Sequence, residues 1–270
     1  VISLGVGEPD FQTPWVVRKE AVDILERKRI IYSANSGMIN LRKEIANYLN
    51  RKYDLTYDPD SEVIATVGGS EAIDLAIRAI VNPGDEVLIV EPSFVCYKPI
   101  VELMHGVAIP IPTKEENKFK LTPEELQAHI TEKTKMLILP YPNNPTGGIM
   151  TREDLEKIAA VLRGTNILVL SDEIYSELTY GTKHCSIASI PDMWERTIYV
   201  SGFSKAFAMT GWRLGYLCAP KPLAKQMLKI HQYAIMCAPT VSQYAAIVAL
   251  QECDDEVRKM VDEYDARRRI

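Results

Sequence analysis

No run of apolar residues in this 270-residue chain approaches the roughly 18 needed to cross a bilayer, so a membrane-spanning helix is not expected. Basic blocks are also missing. The 31 Lys and Arg residues stand against 36 Asp and Glu, giving a formal net charge of −5. No zinc-finger or RNA-recognition pattern accompanies them, so nucleic acid is not an expected partner. The short basic stretch "ARRRI" (266–270) reads as a solvated helix end. Cysteine is scarce and unorganised: five residues (96, 185, 218, 237, 253), an odd number, with no CxxC pair. That usage favours reduced thiols and a cytoplasmic setting over a disulfide framework or zinc. The four histidines, His105, His129, His184 and His231, share no ligand spacing and read as structural or surface residues, so no metal site is expected. Phosphate-loop signatures are absent too. No GK[ST] follows "GGS" (68–70), and "GVGEPD" (5–10) is not GxGxxG, which argues against an NAD-dependent dehydrogenase. No secretory leader is visible. Val1 rather than Met opens the chain, so a preceding segment is expected.

What is present is ordinary globular composition, 47% hydrophobic and 25% charged, enough for one large domain or two small ones. From about residue 62, short β-branched runs alternate with amphipathic helical patterns, the signature of a mostly parallel α/β sheet. Strands are expected at "EVIATV" (62–67), "EVLIV" (86–90), "VAIPI" (107–111), "KMLIL" (135–139), "NILVLS" (166–171) and "TIYVS" (197–201). Helices are expected over 14–28, 40–53, 70–81, 97–104, 122–130 and 151–163. A longer helical region, 221–253, is interrupted at Pro239, and a charged helix follows over 254–269. "LTPEEL" (121–126) and "MTREDL" (150–155) each place an acid three residues after a capping Thr.

Ligands of open parallel sheets bind at the carboxyl ends of strands, so the residues following each run are the candidates. They are Ser70 in "GGSEA", Phe94 in "EPSF", Asn144 in "PYPNNPTGG", Asp172 and Tyr175 in "SDEIY", and Lys205 in "GFSK". Each has a bland alternative. Ser70 is either an ordinary N-cap or part of an anion site at a helix start. "PNNPTGG" reads as a tight turn. Asp172 is a cap, a base or the partner of a cation. Lys205 is a snorkelling surface lysine, or an ammonium whose desolvation lowers its pKa and makes it a nucleophile. Arg213, eight residues on, offers a planar fork suited to phosphate.

Taken together, "YSANSGMINLR", "VGGSEA", "YPNNPTG", "SDEIY" and "SGFSKAFAMTGWRLGY" resemble, in the right order, the motifs of class I/II aminotransferases, pyridoxal-phosphate (PLP) enzymes of fold type I. With "GEPDF" near the start, the resemblance is to the prokaryotic aspartate and aromatic subgroup. It implies an α/β fold type I large domain, a mostly parallel seven-stranded sheet flanked by helices. Residues 1–30 would be an N-terminal segment associated with the small domain and the active-site entrance. Residues 31–253 would form the PLP-binding large domain, and 254–270 would begin the connecting helix to a C-terminal small domain that is largely absent. Residue by residue, Lys205 matches the Schiff-base lysine, and Asp172 the carboxylate that pairs with the ring nitrogen. Tyr175 and Asn144 match groups on the phenolic oxygen, and Phe94 an aromatic that stacks on the ring. Gly69, Ser70, Ser204 and Arg213 match the phosphate cradle. Tyr32 matches a tyrosine that reaches the phosphate of a neighbouring subunit, which implies a homodimer. Gly7 matches a glycine beside the substrate carboxylate, with Phe94 and Asn144 also facing substrate. Many relatives carry serine three residues before the lysine, where this chain has Gly202.

The implied activity is ping-pong transfer of an amino group from an L-amino acid, aspartate or aromatic in type, to a 2-oxo acid such as 2-oxoglutarate. Two alternatives stay open: a PLP-dependent lyase or synthase of the same fold, and a non-catalytic PLP-binding module. No residue matches the arginine that clamps the substrate α-carboxylate in this family. Arg267, Arg268 and Arg269 fall in the connecting helix.

Overall fold

The computed structural model describes residues 5–270. Seven strands form one sheet: β1 (Val63–Thr66), β2 (Glu86–Glu91), β3 (Val107–Pro112), β4 (Thr134–Leu139), β5 (Leu168–Asp172), β6 (Thr197–Gly202) and β7 (Gly215–Cys218). Their order is β1-β7-β6-β5-β4-β2-β3. Pairings from β6 through β5, β4 and β2 to β3 are parallel, and β7 runs antiparallel to both its neighbours. Strands covered on both faces need apolar residues at every position rather than alternate ones. β1, β6 and β7 are buried along their whole length.

The helices are α1 (Trp15–Arg27), α2 (Ile39–Tyr53), α3 (Gly68–Ile80), α4 (Tyr97–Leu103), α5 (Pro123–His129), α6 (Arg152–Leu162), α7 (Lys221–Ala234), α8 (Thr240–Glu252) and α9 (Asp254–Arg267). Successive strand residues feed opposite layers, because side chains alternate across a sheet. Met136 and Ile138 pack with Ile73 and Met227, while Leu137 and Leu139 pack with Leu155 and Ile158. A third cluster sets Tyr199 and Tyr216 against Leu41, Ile45 and Ala246. The capping boxes form as the spacing requires: Thr122 with Glu125, and Thr151 with Asp154. Pro239 separates α7 and α8, since a proline cannot continue the first helix but can precede the second.

Two expectations need correction. α3 begins at Gly68, so Ser70 lies inside the first turn and is not its N-cap. Gly68 takes a φ of +76°, which a side chain would resist, and this lets the chain turn directly from strand to helix. The seventh strand, β7, lies in a stretch, "GYLC", that holds no β-branched residue and so carries little strand signal of its own.

β7 also fixes the geometry beside α3. A Cβ on Gly215 would stand 2.5 Å from the Gly68 carbonyl carbon and 2.6 Å from the Gly69 nitrogen. A Cβ on Gly202 would meet Gly215 Cα at 2.9 Å, so a side chain in place of Gly202 would push the two strands apart. Both contacts are with backbone, which cannot swing away. Gly215→Ala is therefore expected to lose about 1–3 kcal/mol of stability by overpacking, and to shift the first turn of α3. Thermal unfolding checks this, and a variant with unchanged melting temperature would contradict it.

Candidate active site

The carboxyl ends of β1, β2, β4, β5 and β6 surround a cavity of about 550 Å³, within the size range of small-molecule and cofactor sites. Its lining includes Gly7, Gly69, Ser70, Phe94, Asn144, Asp172, Tyr175, Ser204, Lys205 and Arg213. Every candidate site residue except Tyr32 thus meets at one place. Tyr32 is 77% exposed and lies outside this lining.

Asp172 ends β5 and is 6% exposed. Its carboxylate accepts the Tyr97 hydroxyl at 2.8 Å and the Ile174 backbone N–H at 3.2 Å. Burial pushes its pKa up to about 6, against the two donors, which favour the anion. Among the described residues it makes no ion pair.

Lys205 follows β6 and is half-buried. Its Nζ donates to the Gly7 carbonyl at 2.5 Å and stands 5.7 Å from the centre of the Tyr175 ring. Desolvation lowers its pKa, Glu8 opposes that, and Arg213 adds to it. Burial raises the pKa of the Tyr175 hydroxyl, the Asp172 charge raises it further, and Asn144 acts in the other direction.

Phe94 is 37% exposed and meets Tyr97 edge to face, with ring centroids 6.0 Å apart. Arg213 sits in the left-handed region, φ +48°, and donates to the Thr210 carbonyl at 3.0 Å. Its guanidinium lies against Gly68, where an added Cβ would come within 2.7 Å of Nη2. The N-cap residue of α3 makes no side-chain capping bond, and Gly69 and Ser70, at the positive end of that helix, line the same cavity as Arg213. A second cavity of about 500 Å³ opens from the same lysine. It is lined by Glu8, Tyr175, Tyr180, Tyr264 and Arg268, with the Arg268 guanidinium 4.9 Å from the Tyr180 ring centre.

Sequence reading missed Tyr97. It occupies the start of α4, three residues after Phe94, and counts there as a helix residue until the sheet order sets β2 one strand away from β5, with β4 between them. Removing its hydroxyl withdraws a bond that favours the Asp172 anion. Such bonds contribute about 1.5–3 kcal/mol, or one to two pH units. Tyr97→Phe is expected to move the acidic limb of the pH–rate profile upward by that amount, and a profile coincident with wild type would contradict the role.

A family model described as aminotransferase class I and II matches residues 1–270. The chain belongs to the class I and II aminotransferases. This aminotransferase is 51% identical over 270 residues to YugH of Bacillus subtilis (strain 168), covering all of this chain and 70% of that protein. It is 44% identical over 273 residues to the aspartate aminotransferase of Pyrococcus abyssi, again covering 100% and 70%. The crystal structure of the aromatic aminotransferase from Pyrococcus horikoshii OT3 superposes with a TM-score of 0.97 at 42% identity, covering 100% of this chain and 73% of that one. The chain thus spans about 70% of the length of these relatives. Class I and II aminotransferases act on amino and 2-oxo acids with pyridoxal 5'-phosphate as cofactor. Among the described residues, no cluster has the composition of a metal site, and no helix is long and apolar enough to cross a membrane.

Proposed function

We propose that this aminotransferase moves an amino group from an aspartate-type or aromatic L-amino acid to a 2-oxo acid such as 2-oxoglutarate, with PLP held in the cavity at the strand ends. One observation carries the assignment of the site. A buried carboxylate and a guanidinium, neither in an ion pair among the described residues, face one cavity that also holds a half-buried amine. That charge set fits a ligand with a cationic nitrogen at one end, an anion at the other and an aldehyde between them.

When bound, the cofactor supplies an aldehyde that condenses with amines and a ring that spreads negative charge from a substrate Cα. The rest is done by side chains. Asp172 would hold positive charge at the ring nitrogen. Tyr175 and Asn144 would bind the phenolic oxygen, and Phe94 would cover the ring face. Gly69, Ser70, Ser204 and Arg213 would bind the phosphate, combining backbone N–H groups, a helix end and a fixed charge. Lys205, its proton affinity lowered by desolvation, would be the amine that anchors the cofactor, and when free it would act as general base toward the substrate Cα proton. Gly7, whose carbonyl holds the lysine, would lie beside the substrate carboxylate.

We further assign the cofactor-binding body to residues 31–253. The N-terminal segment, 1–30, and the connecting helix, 254–270, would form a joint at the entrance. Phe11 packs edge to face on Tyr264, with centroids 5.1 Å apart, and Arg267 pairs with Asp10 at 2.7 Å. A homodimer accords with the exposure of Tyr32, Ile31 and Tyr233, which are 77%, 61% and 86% exposed and available to a second copy. A cytoplasmic setting accords with the five scattered cysteines.

A panel of amino donors assayed against 2-oxoglutarate on the full-length protein tests the activity and the substrate class. Product formation from aspartate or aromatic donors, strictly dependent on the 2-oxo acid, is expected. Turnover without any 2-oxo acid would make it a lyase instead.

A further inference from the structure

Beneath the first turn of α3 lies a pair that the proposed mechanism does not use. Glu71, one residue after Ser70, is not part of the cavity lining. Its carboxylate accepts the backbone N–H of Val67 and, at 2.7 Å, faces Nδ1 of His231 in the last turn of α7. His231 is fully buried. Its Nε2 is also buried and has no partner among the described residues. Glu71 Oε2 takes the Val67 N–H and Oε1 faces Nδ1; an ionised carboxylate can only accept, so opposite that anion the imidazole donates from Nδ1. Among the described residues the imidazole therefore makes one polar contact, and that contact ends beside the anion-binding turn. Left loose, a carboxylate one residue from that turn would lie close enough to repel an anion bound there. Tied to His231 and Val67, it instead fixes the strand-to-helix junction that presents Gly68, Gly69 and Ser70.

We infer that His231 is a positioning residue for the phosphate cradle, acting through Glu71 on the turn at 67–70. The inference rests on the reading that this turn binds the cofactor phosphate. Two nearly isosteric variants separate the role from general packing. His231→Asn places an amide N–H close to where Nδ1 stood, whereas His231→Gln places its amide near Nε2, out of reach of Glu71. Binding of PLP and of pyridoxal, which lacks the phosphate, is measured for wild type and both variants, with thermal unfolding as a check on folding.

The Gln variant is expected to bind PLP about 10-fold more weakly, the scale of one lost charge-assisted hydrogen bond, with pyridoxal affinity unchanged and Asn close to wild type. Equal weakening of both ligands, unchanged PLP affinity in a folded Gln variant, or Asn no better than Gln would overturn the role of His231. A wild-type protein that binds PLP no better than pyridoxal would instead overturn the cradle itself, and the inference with it.

Discussion

Lys205→Ala is expected to reduce transamination by about 10⁴-fold or more, because in the proposed mechanism one side chain supplies both the covalent attachment and the proton transfer at Cα, each a large contribution. The variant should still bind PLP through the groups at the two ends of the cavity, only without a bond to the protein. Borohydride reduction followed by peptide mapping distinguishes the cases. Wild type should carry the label on Lys205 and nowhere else, and the variant should carry none. Label on another lysine of the wild type would displace Lys205 from the mechanism. The geometry explains why this amine suits the task. It is half-buried, lies against the Tyr175 ring, and is held by a neutral carbonyl rather than a carboxylate, so nothing in direct contact locks it in the charged form.

Asp172→Asn should separate activity from stability. Activity is expected to fall by about 10²- to 10³-fold, since a neutral amide cannot hold positive charge at the ring nitrogen. The cofactor-free protein should nevertheless become more stable at neutral pH. Burial raises the carboxyl pKa from 3.8 to about 6 in the folded chain. Between those values the unfolded chain has released its proton while the folded chain still holds it, so stability falls as pH rises through that window. Above about pH 6 the full penalty applies, on the order of 3 kcal/mol for a shift of this size. The amide carries no such penalty. Its melting temperature should exceed that of wild type by several degrees at pH 7.5, with the gap closing below about pH 4. A gap that widened toward low pH would reverse the sign of the burial effect.

Much of this was legible before any coordinates. The six strands with β-branched or leucine-rich runs stand where the runs do, because burial on both faces selects such residues regardless of tertiary detail. Their carboxyl ends named the site directly, since parallel connectivity forces those ends to one edge. β7 escaped because its four residues, "GYLC", follow a segment that reads as chemistry. Its strand character comes from pairing with Val63 to Thr66, remote in sequence, and with Tyr199 to Gly202 across the intervening connection. The start of α3 shifted from Ser70 to Gly68 because a glycine at positive φ turned the chain earlier than the serine cap suggested. His231 and Glu71 are 160 positions apart, and no spacing rule joins residues that meet only when α7 packs on α3. Tyr97 belongs to the same class of omission.

The hairpin-like return from β6 into β7 carries Lys205 and Arg213 on one uninterrupted connection, residues 203–214. The proposed attachment point and the proposed positive clamp are therefore jaws of a single caliper, joined by one short length of backbone. As long as β6 and β7 keep their register, a swing of the entrance joint leaves the span between the jaws unchanged.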